Sequence, residues 1–207
     1  MKVSQEHVTG RRETRIVVVD AGHGGVDPGK IGVDDSLEKD INLEIAERLK
    51  TILEQQDIQV VMTREEDKGL YEETASNKKA QDLKNRCELI NEMNPDCVIS
   101  IHQNSYHEEP VKGAQVFYYK NSVEAKELAE DIQEKLISYV DPQNRRQAKS
   151  NESYYLLKRT SAPVVIVECG FLSNWTEAKL LQEESYQSQI AWAVALGVQR
   201  YLNMENK

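Results

Sequence analysis

The chain has 207 residues and a formal net charge of −9, from 26 basic and 35 acidic side chains. This length suits one domain with a substantial core, and the acidic balance argues against a nucleic-acid partner, because phosphate backbones are bound by clustered Lys and Arg. No segment approaches the roughly 18 consecutive apolar residues that a membrane-spanning helix requires.

The first 14 residues of the chain are mostly polar and show neither helical nor strand periodicity. We expect residues 1–14 to be a polar leader that replaces or follows a removed signal or anchor segment, and residues 15–207 to form one folded domain. Within that domain, residues 15–20 predict a strand. The apolar spacing that starts at Leu37 then predicts an amphipathic helix, with Ser36 as its N-cap.

The middle of the chain continues this alternation of strands and helices. Residues 58–62 predict a short strand, and residues 65–79 predict a polar loop without apolar periodicity. Apolar side chains at helical spacing over residues 80–93 predict a second helix, which should end at the Asn-Pro-Asp that follows. Residues 97–101 and 113–119 predict two further strands.

The last third of the chain has the same pattern. Helical spacing over residues 125–136 precedes a basic polar loop, and residues 154–158 predict a short strand. Residues 164–167 predict a buried strand, and an apolar stripe over residues 186–201 predicts a long C-terminal helix. The whole pattern is typical of an α/β fold. We therefore predict a single-domain three-layer sandwich, in which helices flank a mostly parallel twisted sheet.

Four side chains that can carry chemistry lie where predicted elements begin or end. His23 follows the first strand in a glycine-rich run, Glu38 opens the first helix, and His102 and Glu168 end two later strands. Ligands of open α/β sheets collect outside the carboxyl ends of the strands, so three of these residues should meet there. Two imidazoles and one carboxylate are a typical ligand set for catalytic zinc, and a second carboxylate can exchange protons with its water.

Each of these residues also has a structural interpretation. A lone histidine at a strand end is commonly a hydrogen-bonded structural residue. Glu38 could simply be favoured by the helix dipole in a first turn. Glu168 could be a buried carboxylate paired with Arg64 or Arg86.

The residues around these positions resemble one known family over about residues 15–202. The segments that carry the resemblance are DAGHGGVDPG, SLEKDINLEIA, VMTREED, SIHQNS and VECGFLSN. They are similar to the zinc-dependent N-acetylmuramoyl-L-alanine amidases of bacterial cell walls, in the class called amidase 3. The resemblance implies that residues 15–207 are a zinc amidase catalytic domain. It also implies His23, Glu38 and His102 as the ligands of one Zn²⁺ per chain, and Glu168 as the catalytic acid/base.

Three further residues near these positions are candidate substrate contacts. Gly24 and Gly25 lack side chains and could let the backbone approach substrate. Asn104 is either an amide donor to substrate or part of a local Asx turn. Gln103 departs from the small or apolar residue expected there, which leaves the rim geometry open. His107 is an exposed loop histidine, an additional ligand or a substrate contact.

Within the family, the chain looks most like the germination-specific amidases of endospore formers. This implies cleavage of the amide between the lactyl group of N-acetylmuramic acid and L-alanine, which removes stem peptides in the spore cortex during muramic-lactam formation. It also implies an extracytoplasmic location, secreted or membrane-anchored, such as the forespore intermembrane space. The expected partners are peptidoglycan and an accessory protein for localisation or activation, with the enzyme itself a monomer or homodimer.

Three other functions remain open from the sequence. The chain could be a zinc-containing module that binds muropeptide or a partner without cutting it, or a zinc peptidase that cuts within the stem peptide. Cys169, beside Glu168, could be a thiol nucleophile. However, the three cysteines have neither disulfide nor metal-site spacing, so we expect buried thiols.

Overall fold

The structure is a computed structural model that describes residues 14–204. Apart from Thr14, the predicted leader lies outside the described residues. Among the helices of the described part, none is both long enough and apolar enough to cross a bilayer.

Strands and helices alternate through most of the chain. In chain order, the elements are β1 Ile16–Ala21, α1 Glu38–Glu54, β2 Gln59–Met62, α2 Lys78–Met93, β3 Cys97–Asn104, β4 Gln115–Tyr119, α3 Val123–Tyr139, β5 Lys149–Asn151, α4 Tyr155–Arg159, β6 Val164–Phe171, α5 Trp175–Leu180 and α6 Glu184–Met204.

A six-stranded sheet with the order β2-β1-β3-β6-β4-β5 forms the middle layer. Strands β2, β1, β3 and β6 are parallel to one another. Strand β4 is antiparallel to β6, and β5 is parallel to β4, so the sheet reverses direction at one edge. The predicted α/β class with a mostly parallel sheet is confirmed.

Both faces of the sheet are covered by helices, because the strands carry apolar residues on both sides. The larger core lies between the sheet and the helices α1, α3 and α6, and includes Val17, Val19 and Leu128. A smaller core on the opposite face joins Val18 and Ile166 to side chains of α2 and α4. The central strands are therefore buried on both faces, and their carboxyl ends open at one edge of the domain.

The predicted N-cap of α1 is wrong. The cap residue is Leu37, and its side chain makes no capping hydrogen bond. The Ser36 hydroxyl instead donates to Asp34 Oδ1 at 2.7 Å, so it belongs to the preceding turn. Short polar side chains often bond locally in this way, in competition with a helix start.

The predicted strand over residues 154–158 is also wrong, because Tyr155–Arg159 form helix α4. The Asn151 side chain accepts hydrogen bonds from the backbone N–H groups of Ser153 and Tyr154, which turns the chain out of β5. The helix then buries two consecutive leucines, Leu156 and Leu157, which a strand would point to opposite faces. Strand β5 and helix α5 were not predicted from the sequence.

Two central strands are longer than predicted. Strand β3 continues to Asn104 and β6 continues to Phe171, so His102 and Glu168 lie inside their strands rather than after them. The ladder pairs His102 with Glu168 and then shifts register between His102 and Asn104. The two side chains are therefore held by paired backbone on adjacent strands.

Candidate active site and metal centre

His23 lies in a turn at the carboxyl end of β1 and has a left-handed backbone, with φ of 63°. This conformation is uncommon for a residue other than glycine, so neighbouring groups must hold it. Arg86 Nη2 donates to the His23 carbonyl at 2.6 Å, and Arg64 Nη2 donates to the Gly22 carbonyl at 3.1 Å. Two guanidinium groups thus hold the turn that presents the His23 ring.

A carboxylate orients the His23 ring. Asp27 Oδ2 lies 3.0 Å from His23 Nδ1, which leaves Nε2 facing Glu38 Oε2 at 3.2 Å. Lys79 pairs with the same Asp27 oxygen at 3.0 Å. A carboxylate on the second ring nitrogen is the usual support for a metal-binding histidine, because it fixes the tautomer and the ring orientation.

Glu38 is the first residue of α1 and only 2% exposed. Its Oε2 accepts from the backbone N–H of Lys30 at 2.7 Å, and its Oε1 accepts from that of Gln103 at 3.0 Å. Burial raises the pKa of Glu38, but the hydrogen bonds with His102 and His23 more than offset this effect and hold the pKa well below its usual range. The carboxylate therefore stays ionised between two imidazoles.

His102 completes this group. Its Nδ1 lies 2.9 Å from Glu38 Oε1, and its ring meets the His23 ring edge to face, with centroids 5.0 Å apart. The His102 ring also lies over Gly22, where a Cβ would overlap the ring atoms. A glycine is therefore required at this strand end for the imidazole to occupy its position.

Glu168 is 5% exposed, and its two oxygens have different surroundings. Oε1 accepts a hydrogen bond from the Tyr154 hydroxyl at 2.9 Å, whereas Oε2 is buried and has no hydrogen-bond partner among the described residues. Burial raises the pKa of Glu168 above its usual value, although the nearby His102 opposes this effect. A buried carboxylate with one unpartnered oxygen and a raised pKa can chemically take and return a proton.

Neither arginine proposed as a structural partner contacts Glu168. Arg86 pairs with Asp20 and Asp82, and the hydrogen bonds of Arg64 go to backbone carbonyls. The structural interpretation of Glu168 as one half of an Arg ion pair is therefore wrong.

The donor atoms of His23, Glu38 and His102 all lie within 4.8 Å of one another. Two ligands of a tetrahedral zinc are separated by roughly 3.4 Å, which matches the 3.2 Å between His23 Nε2 and Glu38 Oε2. Two imidazoles and one carboxylate are also a donor set that zinc takes in catalytic sites, and they leave one position open. The described residues therefore contain a group that can hold a metal ion.

This group lies in a cleft of about 540 Å³. One wall is apolar, and Leu83, Leu156 and Ile166 contribute to it. Glu168 and Asn104 also line the cleft, so most of the predicted site residues share one space. A cleft of this size suits a peptide or sugar fragment.

The two glycines predicted as substrate contacts lie outside this cleft. Gly24 and Gly25 pack against the loop of residues 65–79: a Cβ at Gly24 would collide with the Lys68 carbonyl, and Gly25 N–H donates to Asp67 Oδ1 at 2.8 Å. They do not line the cleft described above. The loop itself packs on the His23 turn.

Residues near the rim also have defined roles. Asn104 Oδ1 accepts from the Ser105 backbone N–H at 2.8 Å. The Gln103 side chain is buried and donates to Asn42 Oδ1 of α1 at 3.2 Å. His107 is exposed, stacks on Tyr106 and is not part of the metal-binding group.

All three cysteines are buried, as expected. Burial raises the pKa of the Cys169 thiol well above its usual range, which does not suit a nucleophile. The contacts of Asp27 with His23 and of Tyr154 with Glu168 were not predicted from the sequence. Asp27 could have been found from its position four residues after His23, but no local signal places Tyr154 beside Glu168.

Comparison with known proteins identifies the family of this chain. A family model described as N-acetylmuramoyl-L-alanine amidase (amidase 3) matches residues 17–200. The germination-specific N-acetylmuramoyl-L-alanine amidase of Bacillus subtilis (strain 168) is 39% identical over 190 residues, which cover 90% of this chain and 79% of that protein.

Solved structures give the same result. The CwlD amidase from Clostridioides difficile, determined in complex with the GerS lipoprotein, is 43% identical with a TM-score of 0.90, over 92% of this chain and 100% of that chain. The N-acetylmuramoyl-L-alanine amidase from Clostridium difficile 630 is 32% identical with a TM-score of 0.82, over 92% and 97% of the two chains. The predicted family and enzyme class are confirmed: this chain belongs to the amidase 3 family of N-acetylmuramoyl-L-alanine amidases.

Proposed function

We propose that His23, Glu38 and His102 hold one Zn²⁺, and that Glu168 is the acid/base that cleaves the amide between the lactyl group of N-acetylmuramic acid and L-alanine. The observation that carries this proposal is Glu168 Oε2, a buried acceptor without a partner among the described residues, in the same cleft as the three donor side chains. A dedicated binding module would have no use for such a costly group.

When bound, zinc supplies a Lewis acid for a carbonyl oxygen and lowers the pKa of a coordinated water to about 7. The chain's own residues prepare this chemistry. Asp27 fixes the His23 ring, and the backbone N–H groups of Lys30 and Gln103 fix the Glu38 carboxylate. The three donors are therefore held in place before substrate arrives.

Glu168 moves the proton. Its Oε2 accepts a proton from the water that attacks the lactyl carbonyl, and then donates that proton to the departing L-alanine nitrogen. Burial favours the neutral form of Glu168, which makes the first transfer, from the water to Oε2, easier. The products are a free lactyl carboxylate on the glycan and a stem peptide with a free L-alanine amine.

The physiological assignment follows the germination-specific relative. We place the activity outside the cytoplasmic membrane, in the spore cortex, where stem-peptide removal would precede lactam formation on muramic acid. The CwlD amidase of Clostridioides difficile is described in complex with the GerS lipoprotein. By analogy, we propose an accessory lipoprotein as the partner that localises or activates this chain.

The test is mass spectrometry of purified peptidoglycan, including cortex material, after digestion with the zinc-loaded protein and with Glu168→Gln. We expect the wild type to release stem peptides that begin with L-alanine. Glu168→Gln should keep one zinc and lose at least 100-fold in turnover. Glu152→Gln is the matched control, because Glu152 is an exposed glutamate that pairs with Lys120 on the surface.

The other outcomes separate the alternatives. Near-normal turnover by Glu168→Gln would overturn the role of Glu168. Peptides cut after L-alanine, with the lactyl amide intact, would make the protein a zinc peptidase. Binding of one zinc and of muropeptide without any release, in the presence of the partner lipoprotein, would make it a binding module.

A further inference from the structure

Tyr154 is the one side chain that hydrogen-bonds Glu168 among the described residues, with its hydroxyl 2.9 Å from Oε1. We propose that Tyr154 is a positioning residue, which holds Oε1 so that Oε2 is directed at the reacting atoms. The inference rests on the proposed role of Glu168 as the proton carrier. Tyr154 acts through Glu168 and does not itself exchange a proton with substrate.

The position of Tyr154 is set by the segment between β5 and α4. Asn151 Oδ1 accepts from the backbone N–H groups of Ser153 at 2.6 Å and Tyr154 at 3.0 Å, and Tyr154 is the N-cap residue of α4. Its ring meets Phe117 edge to face, with centroids 5.8 Å apart. The half-buried phenol is therefore fixed at both its backbone and its ring.

The hydrogen bond makes the two oxygens of Glu168 unequal. The terminal torsion of a glutamate is broad and nearly two-fold, so an unrestrained carboxylate would exchange its oxygens and swing away from the reacting water. With Oε1 engaged by the phenol, Oε2 is left as the free acceptor. General base catalysis requires an acceptor that is held within hydrogen-bond reach of the proton it takes, and the Tyr154 hydrogen bond restrains Oε2 in this way.

The phenol is also suited to remain a donor. Burial raises the pKa of Tyr154, and the charge of Glu168 raises it further, well above its usual range. The hydroxyl therefore keeps its proton throughout the range in which the enzyme works. The acceptor of this hydrogen bond, Glu168 Oε1, is a carboxylate oxygen, and an ionised carboxylate can only accept hydrogen bonds.

The inference predicts a specific kinetic change for Tyr154→Phe, which removes only the hydroxyl. We expect kcat to fall about 10- to 100-fold, because small misplacements of a reacting group have effects of this size. The KM for a defined muropeptide should change by less than about 2-fold, since uniform substrate binding is untouched. Zinc content and thermal midpoint should match those of the wild type.

Tyr139→Phe provides the matched control, because Tyr139 is an exposed tyrosine at the end of α3, away from the cleft. It makes the same chemical change and should leave kcat and KM unaltered. Glu168→Gln is measured in the same assay, so that the role of Glu168 and the role of Tyr154 are tested independently.

Each outcome has one meaning. A fall in kcat with constant KM and full zinc content supports the positioning role. Normal kcat in Tyr154→Phe, while Glu168→Gln is inactive, overturns the role of Tyr154 alone. A rise in KM that accounts for the loss, or a loss of zinc, also overturns it. Normal turnover in Glu168→Gln overturns the proposed function instead.

Discussion

Arg86 is the residue whose replacement should damage the fold most clearly. Its guanidinium is buried and donates to Asp20 Oδ1 at 2.6 Å, to the Ala21 carbonyl at 2.7 Å and to the His23 carbonyl at 2.6 Å. Arg86→Met keeps the apolar stem but leaves Asp20 as a buried carboxylate without its counter-charge. Removing one partner of a buried pair costs about 3–5 kcal/mol of unfolding free energy at neutral pH.

The loss should depend on pH. Burial raises the pKa of Asp20, but Arg86 and a hydrogen bond from Ser100 more than offset burial and hold the pKa at about 2, below its ordinary value of 3.8. A depressed pKa contributes stability that is present above pH 3.8 and is lost as pH falls toward 2, here about 2 kcal/mol. In Arg86→Met, the effect of burial on Asp20 is no longer opposed by Arg86, so Asp20 takes up a proton at a higher pH. The cost of burying an unpaired Asp20 carboxylate therefore becomes smaller as the pH falls.

Urea unfolding followed by circular dichroism, in the metal-free state at pH 7 and pH 4, measures this difference. We expect a gap of about 3–5 kcal/mol between wild type and Arg86→Met at pH 7, and a smaller gap at pH 4. Lys84→Met on the same helix is the control: Lys84 is 66% exposed and pairs with Glu88 on the surface, so its replacement should cost less than about 0.5 kcal/mol. A gap that is equal at both pH values, or as small as that of the control, would refute this reasoning.

Two further predictions concern the metal support and the helix packing. Asp27→Asn should weaken zinc binding about 10- to 100-fold in a chelator competition, because the His23 ring loses its carboxylate partner, whereas the exposed Asp35→Asn should bind zinc normally. Gly197→Ala should destabilise the protein by about 1–3 kcal/mol, since a Cβ there would lie 2.6 Å from the Ile132 backbone of α3. An alanine normally favours a helix over glycine, so a more stable Gly197→Ala in thermal unfolding would contradict this packing argument.

Sequence periodicity identified most of the regular elements because each strand and helix buries an apolar face. The run from Val17 to Val19 is apolar on both sides, as a central parallel strand requires, and the stripe along α1 points at the larger core. The failures are local. The Ser36 hydroxyl donates to the nearby Asp34 and does not cap α1. At residues 154–158, an Asx turn and two buried leucines favour a helix over a strand.

The group that can hold a metal ion could be predicted because its residues lie in specific sequence segments. These segments point to His23, Glu38 and His102, and the structure brings the donor atoms of the three side chains within 4.8 Å of one another. The contact between Asp27 and His23 could also have been predicted from the sequence, because both residues lie in one turn. In contrast, the contact between Tyr154 and Glu168 joins a loop to a central strand, and no local pattern reports it.

By itself, the sequence determined the alternation of strands and helices, the family and the residue types available for chemistry, because these depend on apolar spacing and on short motifs. Only the tertiary structure decided which of those residues meet and in what state. The parallel register sets His102 beside Glu168, and the close approach of Gly22 admits the His102 ring. Burial then leaves one oxygen of Glu168 without a partner among the described residues. Strand register, close packing and desolvation depend on contacts between segments that are distant in sequence. The positions of the site residues relative to one another are therefore set only in the folded chain.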